Sequence, residues 1–247
     1  VNPLVSVIIS TRNRFEEFQT CLDTVHTFTD VPYEVIIIDA GSTDQTREWL
    51  IENEEEYNLA LLLSPPIPGY TSGNNMAMKT AKGKYIYLLN NDNWVTEGWI
   101  KPMIDLYEKD PTIGHMSSVI LWPDRKIQSA GANITKDGAS VSLHSGAPYE
   151  KVKDMEPFVC DYAGFGLYRK DVAEQVGYLS ECYYPIYFDD PDYAFKVKTQ
   201  LGLKTVCCPK SVIYHACSPS DREHHSDAYS RNHKIFMERW SGFLARR

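Results

Sequence analysis

Five side chains are of the right type and placement to do chemistry: Asp39, Asp92, Asp189, Asp190 and His215. Asp92 closes the apolar stretch YIYLLNND. A carboxylate at a strand end suits a hard cation, Mg2+ or Mn2+, bridging diphosphate oxygens. Such an ion places positive charge where negative charge develops on a leaving nucleoside diphosphate. One carboxylate is a weak site, so a second ligand is needed. His215, at the end of the apolar run 211–214, is the candidate, set against the commoner reading of a structural histidine. Asp39 ends the run YEVIIID and suits acceptance from a pyrimidine N3–H, with the Thr11 hydroxyl at hand for base or ribose. A buried edge contact of that kind discriminates, because a mismatched base leaves polar groups unpaired.

Asp189 and Asp190 belong to YFDDPD, with Asp192 as a third carboxylate at the start of an expected helix. Two readings stand side by side. Acidic residues in a first helical turn interact well with the helix dipole. Crowded carboxylates also raise one another's pKa, which suits a general base for an acceptor hydroxyl. Aromatic residues are abundant, and Trp94, Trp99, Trp122, Tyr162, Tyr183, Tyr184 and Tyr187 are stacking candidates for a sugar, against ordinary core packing. Tyr183 and Tyr184 lead because they precede the acidic run. Gly164 and Gly166 flank Phe165 and let a ligand approach the backbone.

These residues need a scaffold that gathers them. Residues 4–9 and 33–39 are short β-branched runs that predict buried parallel strands. Between them, Phe15, Phe18, Leu22, Val25 and Phe28 recur at helical spacing. Ser42 or Thr43 is the expected N-cap of a second helix reaching Asn53. A strand at 58–63, a loop from Pro65 to Gly69, a helix at 72–81 and a strand at 84–89 complete the first half. This alternation predicts an α/β fold with a Rossmann-like, mostly parallel sheet and helices on both faces. Further on, strands are expected at 113–121, 158–168 and 204–208, helices at 190–201 and 228–240, and loops or small hairpins over 123–149. No composition break marks a second unit. The expectation is one domain over 1–247, with a nucleotide-binding half to about residue 95 and an acceptor-binding, catalytic half beyond it.

In such sheets ligands bind at the carboxyl ends of the strands. Thr11-Arg12-Asn13-Arg14, Asp39 to Asp44 and Asn90 to Asn93 all fall there. Each alone fits a capped turn; three at adjacent strand ends point to a ligand. G-x-G-x-x-G and the P-loop pattern are both absent, which argues against a dinucleotide site and a Walker-type site.

The 247 residues carry a net charge of −8, which disfavours a nucleic-acid partner. No run of about 18 apolar residues predicts a membrane span, and no signal peptide is visible. The expected location is cytoplasmic or peripheral to the inner membrane face, with the chain compatible with being one domain of a larger protein. Six cysteines without CxxC spacing read as reduced thiols rather than a zinc cluster.

VSVIISTRNR, EVIIIDAGSTDQT, YIYLLNND, YFDDPDYAFKVK and VIYHACS, in this order over about residues 4–217, resemble the family-2 glycosyltransferases of GT-A fold. The likeness is greatest to the bacterial branch of rhamnosyltransferases and other polysaccharide-assembly enzymes. The resemblance implies inverting transfer of a sugar from a UDP- or dTDP-sugar to a hydroxyl of a glycan or lipid-linked saccharide. It assigns Thr11, Arg12, Asn13, Arg14, Asp39, Ser42, Gly69, Asn75, Asn90 and Asn91 to the donor. It assigns Asp92 and His215 to a divalent metal, Asp190 to the general base and Asp189 to its orientation. Tyr183, Tyr184 and Gly164 are the expected acceptor contacts. His224, His225, Arg231, His233 and Lys234 are candidates to close over the diphosphate, against a solvated helix face. One departure stands out: the first aspartate of the usual DxD is Asn90, which supplies no charge. The second functional reading is therefore a degenerate module that binds a nucleotide sugar or glycan without chemistry. A nucleotidyltransferase is a weaker third, because the Gly-rich signature loop is missing.

Overall fold

The computed structural model describes residues 2–63, 69–217 and 225–247. In chain order its elements are β1 (Val5–Thr11), α1 (Phe15–Phe28), β2 (Tyr33–Asp39), α2 (Thr46–Asn53), β3 (Leu59–Leu63), α3 (Tyr70–Thr80), β4 (Tyr85–Asn90), β5 (Asn93–Val95) and α4 (Lys101–Lys109). The second half adds β6 (Ile113–Leu121), β7 (Ile127–Ser129), β8 (Ala132–Ile134), β9 (Ser140–Ser142), β10 (Phe158–Cys160), β11 (Gly166–Arg169), α5 (Lys170–Val176), α6 (Asp189–Leu201), β12 (Lys204–His215) and α7 (His225–Leu244). Residues 65–68 of the Pro/Gly-rich loop, His224 and the His225 side chain lie outside the described residues.

The period of two along β1 sets the layers. Val5, Val7 and Ile9 pack with Phe18 and Leu22 of α1 and Met103 of α4. Ile8 points the other way, onto Ala77 and Met78 of α3, Val172 of α5 and Val197 of α6. Helices therefore cover both faces of the sheet. Each fully buried Leu, Ile or Phe contributes roughly 1.5–3 kcal/mol. The main sheet runs β10-β12-β6-β11-β4-β1-β2-β3. β1 is parallel to both β2 and β4, β2 to β3, and β12 to β6; β11 is antiparallel to β4 and β6. Strands from both halves of the sequence thus enter one sheet.

Several boundaries differ from the sequence reading, each for a local reason. Residues 158–168 form two strands, β10 and β11, on different neighbours. Gly166 permits the tight approach of β11 to β6, since a Cβ there would lie 2.1 Å from the Met116 carbonyl oxygen. β12 continues past Cys208, through a register shift before Val212, to His215. α2 begins at Thr46, later than Ser42 or Thr43 would place it, because Asp44 Oδ1 accepts from the Thr46 N–H at 2.9 Å. All six cysteines are free. Among the described residues, no helix is long and apolar enough to cross a membrane.

His115 of β6 is fully buried against Tyr168 and Tyr193, with both ring nitrogens lacking hydrogen-bond partners. Burial pushes its pKa down to about 3. The unfolded chain takes up a proton near pH 6.5 that the folded one refuses, so this contribution to stability is present above that pH and is lost as the pH falls toward about 3. Phe at position 115 removes the titrating group and strands no polar partner. In urea unfolding across this acid range, His115→Phe should flatten the fall of stability by about 1.4 kcal/mol per pH unit relative to the parent. An unchanged slope would show that His115 is not the group responsible.

Candidate active site

The pairing of β1, β2 and β4 puts their carboxyl ends side by side, with Thr11 opposite Asp39 and Ser10 opposite Asn90. After β1 the chain turns through Asn13 and Arg14, both left-handed at φ near 60°. Asparagine tolerates this conformation better than most residues; arginine has no such advantage. A lattice of hydrogen bonds holds the turn. The Asn13 N–H donates to Ser42 Oγ at 2.7 Å, and Asn13 Oδ1 accepts from the Thr43 N–H at 2.7 Å. Asn91 Nδ2 donates to the Asn13 carbonyl at 3.0 Å and to Thr11 Oγ1 at 3.1 Å. Asn13, Ser42 and Asn91 thus use these side-chain groups to shape the wall between the β1 and β2 turns.

Asp39 is fully buried. Its Oδ1 accepts from the Ser42 N–H at 2.9 Å. Its Oδ2 accepts no hydrogen bond, and the Arg47 guanidinium stands 3.5 Å away, in ion-pair range only. A buried carboxylate oxygen without a donor is an acceptor held ready for one.

Asp92 meets His215 because β5 pairs antiparallel with the end of β12, setting Asn93 opposite His215. The Ala216 N–H donates to the Asp92 carbonyl at 2.9 Å and fixes the approach. Asp92 Oδ1 lies 3.3 Å from His215 Nε2, and Asp92 Oδ2 lies 3.8 Å from Arg14 Nη1. Phe165 sets the edge of its ring against His215, with centroids 5.0 Å apart. The Gly164–Gly166 loop therefore borders this pair, and a Cβ on Gly164 would meet nothing within 4 Å. Among the described residues, no group of three or more His, Cys, Asp or Glu side chains forms a metal cage. Nucleotide enzymes commonly hold Mg2+ by one or two carboxylates, with the remaining positions left to phosphate oxygens and water, and Asp92 fits that pattern. The imidazole of His215 adds a nitrogen donor better matched to a softer ion such as Mn2+ than to Mg2+.

Asp189 and Asp190 open α6 after two bulky residues forced into positive φ, Tyr187 at 80° and Phe188 at 71°. Such backbone costs on the order of 1–3 kcal/mol per residue and persists where the surroundings impose it. Asn232 of α7 is one source of that constraint: its Nδ2 donates to the Ile186 carbonyl at 2.8 Å, with the Tyr184 and Tyr187 carbonyls at 3.4 Å. Asp189 is buried with Oδ2 unpartnered, while Asp190 keeps some exposure. Burial raises the pKa of both carboxyls; Asp189 raises that of Asp190 further, and Asp192 that of Asp189. The start of α3 touches this turn: the Tyr70 N–H donates to the Pro185 carbonyl at 3.1 Å, and a Cβ on Gly69 would lie 2.7 Å from the Tyr184 ring.

Three sequence expectations need correction. Tyr183 is fully buried and its hydroxyl donates to Asp192 at 3.1 Å, so it belongs to the core; the exposed Tyr184 is the one free to meet a ligand. Trp99 is likewise fully buried. Asn75 spends its amide on the 179–181 segment, donating to the Leu179 carbonyl and Glu181 and accepting from the Leu179 N–H, and so positions a loop instead of offering itself to a donor. Asp192, the third carboxylate of the run, is fully buried and accepts from Tyr183 and Trp240. The residue that sequence reasoning missed, Asn232, did carry a signal. It is the lone polar member of the stripe Ala228, Asn232, Phe236, Trp240 and Leu244, spaced by four and buried throughout.

The fold and the three turns at its strand ends define a protein of the GT-A type. The chain matches the Glycosyl transferase family 2 model over residues 6–177, and it belongs to that family. Among curated relatives it is 24% identical over 229 residues to the O-antigen biosynthesis protein RfbC of Myxococcus xanthus, covering 89% of this chain and 18% of RfbC. It is 25% identical to the uncharacterized glycosyltransferase YwdF of Bacillus subtilis, covering 96% of this chain and 82% of YwdF. Of the first relatives it matches, the chain spans a quarter or less of their length. Among solved structures, it superposes on GalNAc-T7 with UDP, GalNAc and Mn2+ at a TM-score of 0.73 with 15% identity, over 96% of this chain and 56% of that one. It superposes on S. aureus TarS residues 1–349 with UDP-GlcNAc at 0.64 with 17% identity, over 94% and 66%.

Proposed function

We propose that this family-2 glycosyltransferase moves a hexose or rhamnose from a UDP- or dTDP-sugar to a hydroxyl of a glycan or lipid-linked saccharide, with inversion at the anomeric carbon. The observation that carries the reading is the convergence of Asp92 and His215, 3.3 Å apart, beside the turn that holds Arg14. Asp39 offers to a base N–H a buried oxygen that accepts no hydrogen bond within the protein. The acceptor oxygen forms a bond to the anomeric carbon as the bond from that carbon to the diphosphate oxygen breaks. The electron pair leaves with the diphosphate, and the acceptor proton passes to the Asp190 carboxylate. Asp189 orients that carboxylate or the acceptor, and Tyr184 gives the acceptor an exposed aromatic face. Asp92 and His215 would hold a divalent ion whose charge offsets that of the departing diphosphate. Arg14 adds a fixed cation on the same side.

Asn90, which brings no charge, favours a second reading as a binding module. Donor hydrolysis with added Mn2+ separates the two, since a module without chemistry releases no sugar. The metal pair is tested directly. Mn2+ should raise the melting temperature in the presence of UDP, because ligand bound only to the folded state stabilises it. Asp92→Asn should abolish that increment and make transfer insensitive to chelator. Chelator-insensitive transfer by the parent protein would remove the metal from the reading.

A further inference from the structure

His215 is held from behind by Gln128, which lies outside the five sequence stretches that carry the family resemblance. β7 pairs with β6 through Ile120 opposite Ser129 and Leu121 opposite Ile127, which leaves Gln128 as the extra residue of a β-bulge. Bulges bend a strand and re-aim one side chain. Here the half-buried Gln128 is aimed at His215, with its Oε1 3.0 Å from His215 Nδ1. Its amide nitrogen donates to Cys217 Sγ at 2.9 Å, which orients the carbonyl end toward the ring. Cys217 Sγ lies 3.4 Å from the same nitrogen, so Gln128 Oε1 is its nearer partner. In the tautomer whose Nδ1–H donates to Gln128, the lone pair of Nε2 faces Asp92 Oδ1, 3.3 Å away. Two acceptors facing each other at that distance make a seat for a cation.

We propose that Gln128 is a positioning residue that selects the Nε2 ligand form of His215 and fixes its ring for divalent-metal binding. The inference rests on the reading of Asp92 and His215 as metal ligands. Partners on the far nitrogen of a ligating histidine set its tautomer and orientation, and their loss typically costs 10–100-fold in metal affinity. β7 buries Ile127 in the core, and its bulge delivers one amide to one imidazole.

The test measures Mn2+ affinity by electron paramagnetic resonance of free ion in the presence of UDP, with no acceptor and no turnover. Gln128→Leu, close in size, should weaken binding about 10–100-fold. Gln128→Glu, whose carboxylate can only accept, should stay within a few-fold of the parent and so act as the conservative rescue. Melting curves of each variant verify that the fold is intact. Parent-like affinity in Gln128→Leu, with His215→Ala weakened, would overturn the inference and leave the metal reading standing. Loss in Gln128→Glu equal to that in Gln128→Leu would also overturn it, because the amide would then be acting as donor. Parent-like affinity in His215→Ala would remove the metal reading, and this inference with it.

Discussion

Asp190→Asn should lower sugar transfer by about 10²–10⁴-fold, the usual contribution of a positioned general base, while nucleotide affinity stays within a few-fold. The substitution is nearly isosteric and removes only the ability to take the acceptor proton. Stability adds a second readout. Burial and the neighbouring Asp189 raise the Asp190 pKa, so the folded state disfavours the ionised form. A group whose folded pKa lies above its unfolded value holds full stabilisation below the unfolded pKa and loses it as pH rises through the folded one. Above the ordinary carboxylate range the raised pKa therefore costs stability, and an amide, which does not titrate, should leave the melting temperature equal or higher. Loss of transfer with retained or increased stability is the pattern of a functional site held at a cost to the fold. The parent's rate should also fall on the acid side at a higher pH than an ordinary carboxylate near 3.9 would give. Parent-like transfer in Asp190→Asn would take the base away from this residue.

The sequence made the first half of the fold legible because its information is local. β2 and α1 begin and end where the apolar patterns of YEVIIID and of Phe15, Phe18, Leu22, Val25 and Phe28 say they should. Strand-end turns followed from there, and with them Thr11, Asn13, Asp39 and Asp92. Polar residues in a βα turn face the ligand side, which makes Asn13 and Ser42 expected ligand contacts; in the fold they also tie the two turns together. The later half resists this reading because long-range pairing decides it. Gln128 and His215 are 87 residues apart, and Asn232 and Ile186 are 46 apart. No periodicity in a three-residue strand announces a bulge. Tyr183 and Tyr184 are neighbours of one type, and only long-range packing decides between them: Tyr183 joins the core cluster that holds Trp240 and donates to Asp192, while Tyr184 is exposed.

Asp192 shows the same limit with the largest consequence for stability. Asp192→Ala should destabilise the protein by about 3–5 kcal/mol, the range for breaking a buried ion pair by removing one partner, seen as a lower urea midpoint. The carboxylate is fully buried on α6. Its Oδ1 accepts from Trp240 Nε1 at 2.8 Å and Tyr183 OH at 3.1 Å, and pairs with Arg239 at 3.0 Å. Its Oδ2 accepts from Ser180 Oγ at 2.5 Å and lies 4.0 Å from Lys196 Nζ. Alanine would leave the buried Lys196 ammonium without its counter-charge and two buried donors without an acceptor, which costs far more than the pair's net worth. Trp240 belongs to α7, so the same change loosens the helix whose Asn232 holds the Tyr184–Tyr187 carbonyls. Transfer should therefore fall in Asp192→Ala even at temperatures where the variant remains folded, and Asp192→Asn, which keeps one acceptor oxygen, should lie between. Two carboxylates of one helical turn then separate by experiment: Asp190→Asn loses rate without stability, and Asp192→Ala loses stability first and rate through it. A parent-like urea midpoint in Asp192→Ala would show that α7 docks through its apolar stripe alone.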